Sequence, residues 1–144
     1  MNDLMSNRVL MVPATAWAVA QVLKVLVFLV TERRLNLGLL VSAGGMPSSH
    51  ATLVAGLATA VGIQHGVSSS LFAVALVFAA IVMYDAAGVR RAVGIQARLL
   101  NQIMEELFAG HPISQTRLLE LVGHTPFQVL VGAALGIGLA WLWM

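Results

Sequence analysis

Residues 71–89, LFAVALVFAAIVMYDAAGV, carry one charged side chain, Asp85, in an otherwise apolar run. As a helix this run rises by about 28 Å, close to the ~30 Å hydrocarbon core of a bilayer. Two more runs have the same character, over 9–30 and 126–144, and a shorter one starts at Pro47 and fades near Gln64. In lipid each backbone N–H and C=O must be satisfied within its own segment, so every run is read as a helix. Together they occupy more than half of the 144 residues. No soluble catalytic domain fits in what is left, so any chemistry must be done by side chains of the bundle itself. The expected fold is all-α: a polytopic membrane helix bundle of about four membrane helices plus an amphipathic interfacial helix, with residues 1–144 as a single membrane domain.

The rest of the composition removes other classes. Charged residues make up 10% of the chain, against roughly 25% in soluble domains. The absence of cysteine excludes disulfides, thiolate metal sites and cysteine nucleophiles. A net charge of +2 is too small to suggest nucleic acid. The first run continues to Val30 without a small-residue cleavage site, so it reads as a retained helix, interrupted by Pro13 and holding the lone charge Lys24. That lysine either snorkels to the headgroups or turns inward for a function. The 47–64 run barely crosses the hydrocarbon and is expected to be short or buried among its neighbours. A serine at 69 or 70 is the expected cap of the third helix. Beyond it, Val93, Gln96, Ala97, Leu100, Ile103, Met104 and Leu107 recur at helical spacing among Arg91, Arg98, Asn101, Gln102, Glu105 and Glu106, an amphipathic pattern suited to an interface. A short helix is expected over 114–121, and Trp141 and Trp143 form an interfacial belt.

Charge placement sets a topology. If successive helices alternate in direction, Arg33, Arg34, Arg90, Arg91, Arg98 and Arg117 collect on one side, while the other has Arg8. The positive-inside rule makes the arginine-rich side cytoplasmic and puts both termini outside. The expected location is an inner or plasma membrane of bacterial type.

Polar residues concentrate on that arginine-rich side. In "GGMPSSHATL", residues 44–53, Pro47 fits a first helical turn, and Gly44 and Gly45 allow the preceding backbone to turn sharply or approach a ligand. Ser48, Ser49 and His50 then fall where helix-start N–H groups and the positive end of the dipole favour an anion. A second helix start, "GHTPFQ", has His124 just ahead of Thr125 as cap and Pro126 as first helical residue. Two imidazoles at two helix starts, converging within about 4 to 6 Å, would bracket one phosphoryl group: one attacks phosphorus and the other protonates the leaving oxygen. His65 and His111 lie in turns and read as solvated.

These motifs resemble a known family. "GGMPSSH" is similar to the middle signature of the type 2 phosphatidic acid phosphatase superfamily, with Ser49 in the place of its glycine. "GHTPFQVLVGAALGI" resembles the third signature, in which a nucleophilic His precedes an Asp and a small-residue helix. With "MYDAAGVRRAVGIQARLLN", the whole chain looks like a small divergent branch of that superfamily. The resemblance implies His124 as nucleophile forming a phosphohistidine, His50 as general acid, and Gln128 in the position of the residue that orients the nucleophile. It also implies phosphate ligands drawn from Lys24, Arg33, Arg34, Gly45, Ser48, Ser49, Arg90, Arg91 and Arg117, with no metal and no cofactor.

Three departures stand beside the match. Lys24 is nine residues before Arg33, where the family has a shorter gap and a proline after the arginine. Arg117 is seven before His124 instead of six. Gln128 replaces an Asp; its amide oxygen can accept an imidazole N–H but cannot stabilise imidazolium by charge. Asp85 is a candidate supporting acid, expected to meet an arginine or serine of the site. A metal role shared by Asp85, Asn101 and Glu105 is an alternative. The leading reading is a phosphatase for a lipid phosphate or polyprenyl phosphate, with the bilayer and a phosphorylated lipid as partners and a homo-oligomer allowed. The rivals are a non-catalytic lipid-phosphate binder or scaffold and, with too few helices unless the chain oligomerises, a transporter. Gly132, Gly136 and Ala140, and on the second run Ala51, Ala55 and Thr59, read as packing stripes.

Overall fold

The structure, a computed structural model, describes residues 2–42, 44–107 and 124–144. A short α1 (Asn2–Ser6) leads into α2 (Arg8–Glu32), followed by a 3-10 turn (Leu37–Leu40), α3 (Ser49–His65), α4 (Ser70–Ala87), α5 (Val89–Leu107) and α6 (Pro126–Trp143). The described residues form an all-α membrane bundle, as the apolar runs require. The expected helix over 114–121 lies outside the described residues, as do His111 and Arg117.

The starts of α2, α3, α4 and α6 are capped by residues whose chemistry favours that position. Asn7, Ser48, Ser69 and Thr125 accept from the amides of Leu10, Ala51, Phe72 and Gln128. Ser48 changes the reading of Pro47, which precedes the cap and therefore stands outside the helix. Pro13 does not interrupt α2, because it falls in the second turn of a continuous helix, where only one hydrogen bond depends on its missing N–H. The 25 residues of α2 rise by about 37 Å, longer than the ~30 Å hydrocarbon core, so the helix projects past it.

α3 is the centre of the bundle. It spans 17 residues and packs against α2, α4 and α6. Among the described residues, the helical stretches long and apolar enough to cross a membrane are α2, the stretch Ser70–Glu105 that begins with α4, and α6. α3 is thus both shorter than its neighbours and enclosed by them. Against α4 it makes a side-chain core of Val54, Ala58, Val61, Ala75 and Ala79, with Ala51 meeting Ala86 further along, so the two helices are antiparallel.

Against α6 the packing is different in kind. A methyl added to Gly132 would collide with the Ser48 carbonyl oxygen, and one added to Gly136 would collide with that of Thr52. α3 and α6 therefore run parallel with their backbones in contact. The stripe on α3 is Ser48, Thr52, Gly56 and Ala60, one position along from the Ala51, Ala55 and Thr59 expected from the sequence. Thr52 Oγ1 stitches the seam, its single hydroxyl hydrogen lying between Ser48 O of its own helix at 2.9 Å and Gly132 O across the seam at 3.0 Å. Gly56 also faces Pro13 of α2 while Lys24, further along α2, bonds back to Ser49 at the start of α3, which makes α2 antiparallel to both. The starts of α3 and α6 consequently share one end of the bundle with the C-terminal ends of α2 and α4. At the opposite end Arg8 Nη1 donates to Met144 O at 3.3 Å, which brings both chain ends together there.

α5 follows α4 after Gly88 alone and, among the described elements, packs only on α4. Its buried positions Gly94, Ala97 and Asn101 form one narrow strip. Val93, Leu100, Met104 and Leu107 stay exposed, as an interfacial helix requires.

Candidate functional site

Four pieces of chain meet at the shared end. The start of α6 is tied to α4 by His124 N donating to Ala86 O at 3.2 Å, and to α3 by Ser48 N donating to Gln128 O at 3.2 Å. These backbone bonds hold the two helix starts in register before any side chain takes part. The imidazoles of His50 and His124 then face each other with ring centroids 6.4 Å apart and planes inclined by 61°, slightly wider than the expected 4 to 6 Å. His124 is buried and His50 half-buried.

Lys24 is turned inward. It is 1% exposed, which excludes snorkelling, and its ammonium donates to Ser42 O at 2.9 Å and Ser49 Oγ at 3.0 Å. Among the described residues these two bonds use two of its three donors, leaving one for a further acceptor. The backbone turns beside the lysine stem at Gly45, whose φ of 91° lies in the left-handed region that glycine adopts without strain. The segment before α3 thus folds over the lysine stem.

Gln128 has two tasks. Its Oε1 accepts from Thr125 N at 3.1 Å while Thr125 Oγ1 accepts from Gln128 N at 3.3 Å, a reciprocal capping box at the start of α6. The same oxygen lies 3.4 Å from His124 Nδ1. With Oε1 held as an acceptor by Thr125 N, Gln128 can accept from His124 in the tautomer that carries its proton on Nδ1, which is the one with its lone pair on Nε2. The capping role was readable from the Thr-Pro-Phe-Gln spacing but was not anticipated. Thr52, Gln21 and the Ser42 carbonyl were missed as well. Gln21 is buried one turn from Lys24, and its Oε1 has no hydrogen-bond partner among the described residues.

Other expected residues are placed differently. Ser48 is fully buried, with its hydroxyl capping Ala51 N and its backbone bonded into the α3–α6 seam, so it acts as scaffold for its neighbours. Arg33 and Arg34 are exposed at the end of α2, about 13 Å along the axis from Lys24 at 1.5 Å per residue. Arg33 itself ends the helix with φ 53°. Arg90 and Arg91 fall in the first turn of α5, but their side chains, like that of Glu106, are outside the described residues. Asp85 is half-buried in the last turn of α4, next to the residue whose carbonyl anchors His124. Asn101 is buried while Glu105 is exposed, and among the described residues no group of three His, Cys, Asp or Glu side chains comes together as a metal site.

Comparison with known proteins carries the same motifs to nearly the whole chain. Residues 5–139 match the Divergent PAP2 family. The chain belongs to that family. It is also 40% identical to the uncharacterized membrane protein YuiD of Bacillus subtilis (strain 168), over 94% of this chain and 92% of that protein. No solved structure matches. Family membership makes this an integral membrane protein related to the phosphatidic acid phosphatases, as the resemblance in "GGMPSSH" and "GHTPFQ" implies.

Proposed function

We propose that the protein hydrolyses a lipid phosphate or diphosphate at the end of the bundle where α3 and α6 begin. The observation that carries this reading is the facing pair His50 and His124, at two helix starts, with the Lys24 ammonium bonded to the serine beside His50. One phosphoryl group held in line between two imidazoles needs a near-attack distance of about 3 to 3.5 Å, the P–O bond, and a proton-donating hydrogen bond of about 2.7 to 2.9 Å. The 6.4 Å separation of the ring centroids is shorter than that span, so the two rings open by side-chain rotation to admit the group.

The steps follow from the proton on Nδ1. His124 Nε2 attacks phosphorus with its lone pair and forms an N–P bond as the bond to the leaving oxygen breaks. Protonated His50 gives its proton to that oxygen, so the lipid departs as a neutral alcohol or as a shorter phosphate. Water then attacks phosphorus, His50 takes a water proton, the N–P bond breaks and inorganic phosphate leaves. Lys24 and the positive end of α3 stabilise the charge on the equatorial oxygens. The lipid tail stays in the bilayer beside a bundle too small to enclose it. The arginines of this end orient it toward the cytoplasm by the positive-inside rule.

Gln128 sets how fast this runs. It fixes the tautomer of His124 but brings no negative charge to the imidazolium that forms. Gln128→Glu keeps the capping box and adds that charge, and is expected to raise phosphate release by about tenfold, an effect near 1.4 kcal/mol. The basic test is phosphate release from phosphatidic acid and from polyprenyl phosphate and diphosphate by the purified protein, with His124→Ala and His50→Ala as controls. Release that both substitutions abolish supports the phosphatase. Release no higher than in the two variants favours the second reading, a lipid-phosphate binder that has kept the anion pocket, a reading that the uncharged Gln128 supports.

A further inference from the structure

A cavity lies at the other end of the bundle. It has a volume of about 780 Å³ and is open to the surroundings between the start of α2, the end of α3 and the start of α4. Arg8, Asn7 and His65 stand at its polar rim, while Leu57, Val61 and Phe78 form part of an apolar floor. A second, almost wholly apolar groove shares Val74 and Phe78 with it and continues along α4 to Ile81. From Leu71 to Ile81 the helix rises by about 15 Å, half the ~30 Å hydrocarbon thickness. One leaflet's acyl chain has that length.

We propose that this combined groove binds an anionic phospholipid, with its phosphate at Arg8 and one acyl chain along α4. The rim supplies donors for a charge. Arg8 is exposed and gives one Nη1 hydrogen bond to Met144 O at 3.3 Å, which leaves most of its planar fork of donors for a phosphate. Asn7 accepts Leu10 N through its side-chain oxygen, so its NH₂ remains to donate. Val74 and Phe78 are 69% and 51% exposed, so the floor is open from the lipid side and a chain enters it sideways. His65 ends α3 and His50 begins it, about 22 Å apart at 1.5 Å per residue. The bound lipid therefore belongs to the opposite leaflet from the histidine pair and is a resident ligand distinct from the lipid phosphate proposed there.

The test is native mass spectrometry of protein taken from nanodiscs of phosphatidylglycerol and phosphatidylcholine in equal amounts with identical acyl chains. Retention of phosphatidylglycerol over phosphatidylcholine by about tenfold is expected, the effect of one charge-assisted contact near 1.4 kcal/mol. Arg8→Gln should bring the two lipids to near parity, and Arg8→Lys should keep most of the preference. Val74→Trp, a change on an exposed face that leaves the core intact, should lower retention of both lipids by filling the floor. Equal retention by the unaltered protein would overturn the proposal. So would a preference that survives Arg8→Gln but disappears when Arg33 and Arg34 are replaced, or a Val74→Trp protein that retains lipid as before.

Discussion

The two long seams of α3 differ in what fills them. Toward α4, alanine and valine side chains interlock, and the helices are held apart by the atoms that bind them. Toward α6 there is almost nothing between the helices: glycine meets carbonyl, and Thr52 bonds across to Gly132 O. In lipid, association rests on such close packing and on interhelical hydrogen bonds, since burial from water contributes nothing between apolar helices. The candidate site sits on the second seam. Its two imidazoles are attached to helix starts whose separation is set by backbone contact, so their spacing is fixed more tightly than side-chain packing alone would fix it.

Substitution can break this contrast. The largest effect is expected for Gly132→Val, which forces α6 off the Ser48 carbonyl: a loss of about 3 kcal/mol, the upper end of overpacking, together with loss of phosphate release. An SDS-titrated unfolding midpoint and the release assay measure the two parts. Val54→Ala, in the side-chain seam, should cost about 1 kcal/mol for the methyls removed and leave phosphate release within twofold of normal. Gly138→Ala sharpens the comparison most finely. Nothing lies within 4 Å of the position its methyl would take, so the same helix should gain about 0.5 kcal/mol from better helix propensity. A Gly138→Ala protein as damaged as Gly132→Val would mean that α6 tolerates no methyl anywhere and that the seam is not special.

This seam was also where the sequence was least readable. Apolar run lengths were enough for α2, α4 and α6, and the 3.6-residue alternation of charge was enough for α5. Ser69 and Thr125 announced their helices by cap chemistry alone. α3 and α6 are apolar or small on every face, so periodicity indicates no contact side, and the stripe was assigned one residue away from Thr52. The leucines of the 3-10 turn resemble any apolar stretch. His50 and His124 were legible as a pair because each sits beside a proline or serine helix start on the same side. Lys24 was not, since a lysine some residues from a helix end reads the same whether it snorkels or turns inward; only its bonds to the Ser42 carbonyl and the Ser49 hydroxyl decide. Arg33 and Arg34 were drawn to the site by charge alone, but α2 continues for more than two further turns before reaching them.

The most direct test of the central claim is to trap the phosphorylated protein. Incubated briefly with radiolabelled lipid phosphate and quenched in base, the protein should carry acid-labile, base-stable label on His124. The label should be absent from His124→Ala and, with a good leaving group on the substrate, should persist longer in His50→Ala, which lacks the base for the second step. Phosphate release without label on His124, or label that survives His124→Ala, would contradict the assignment of His124 as the residue that takes the phosphoryl group.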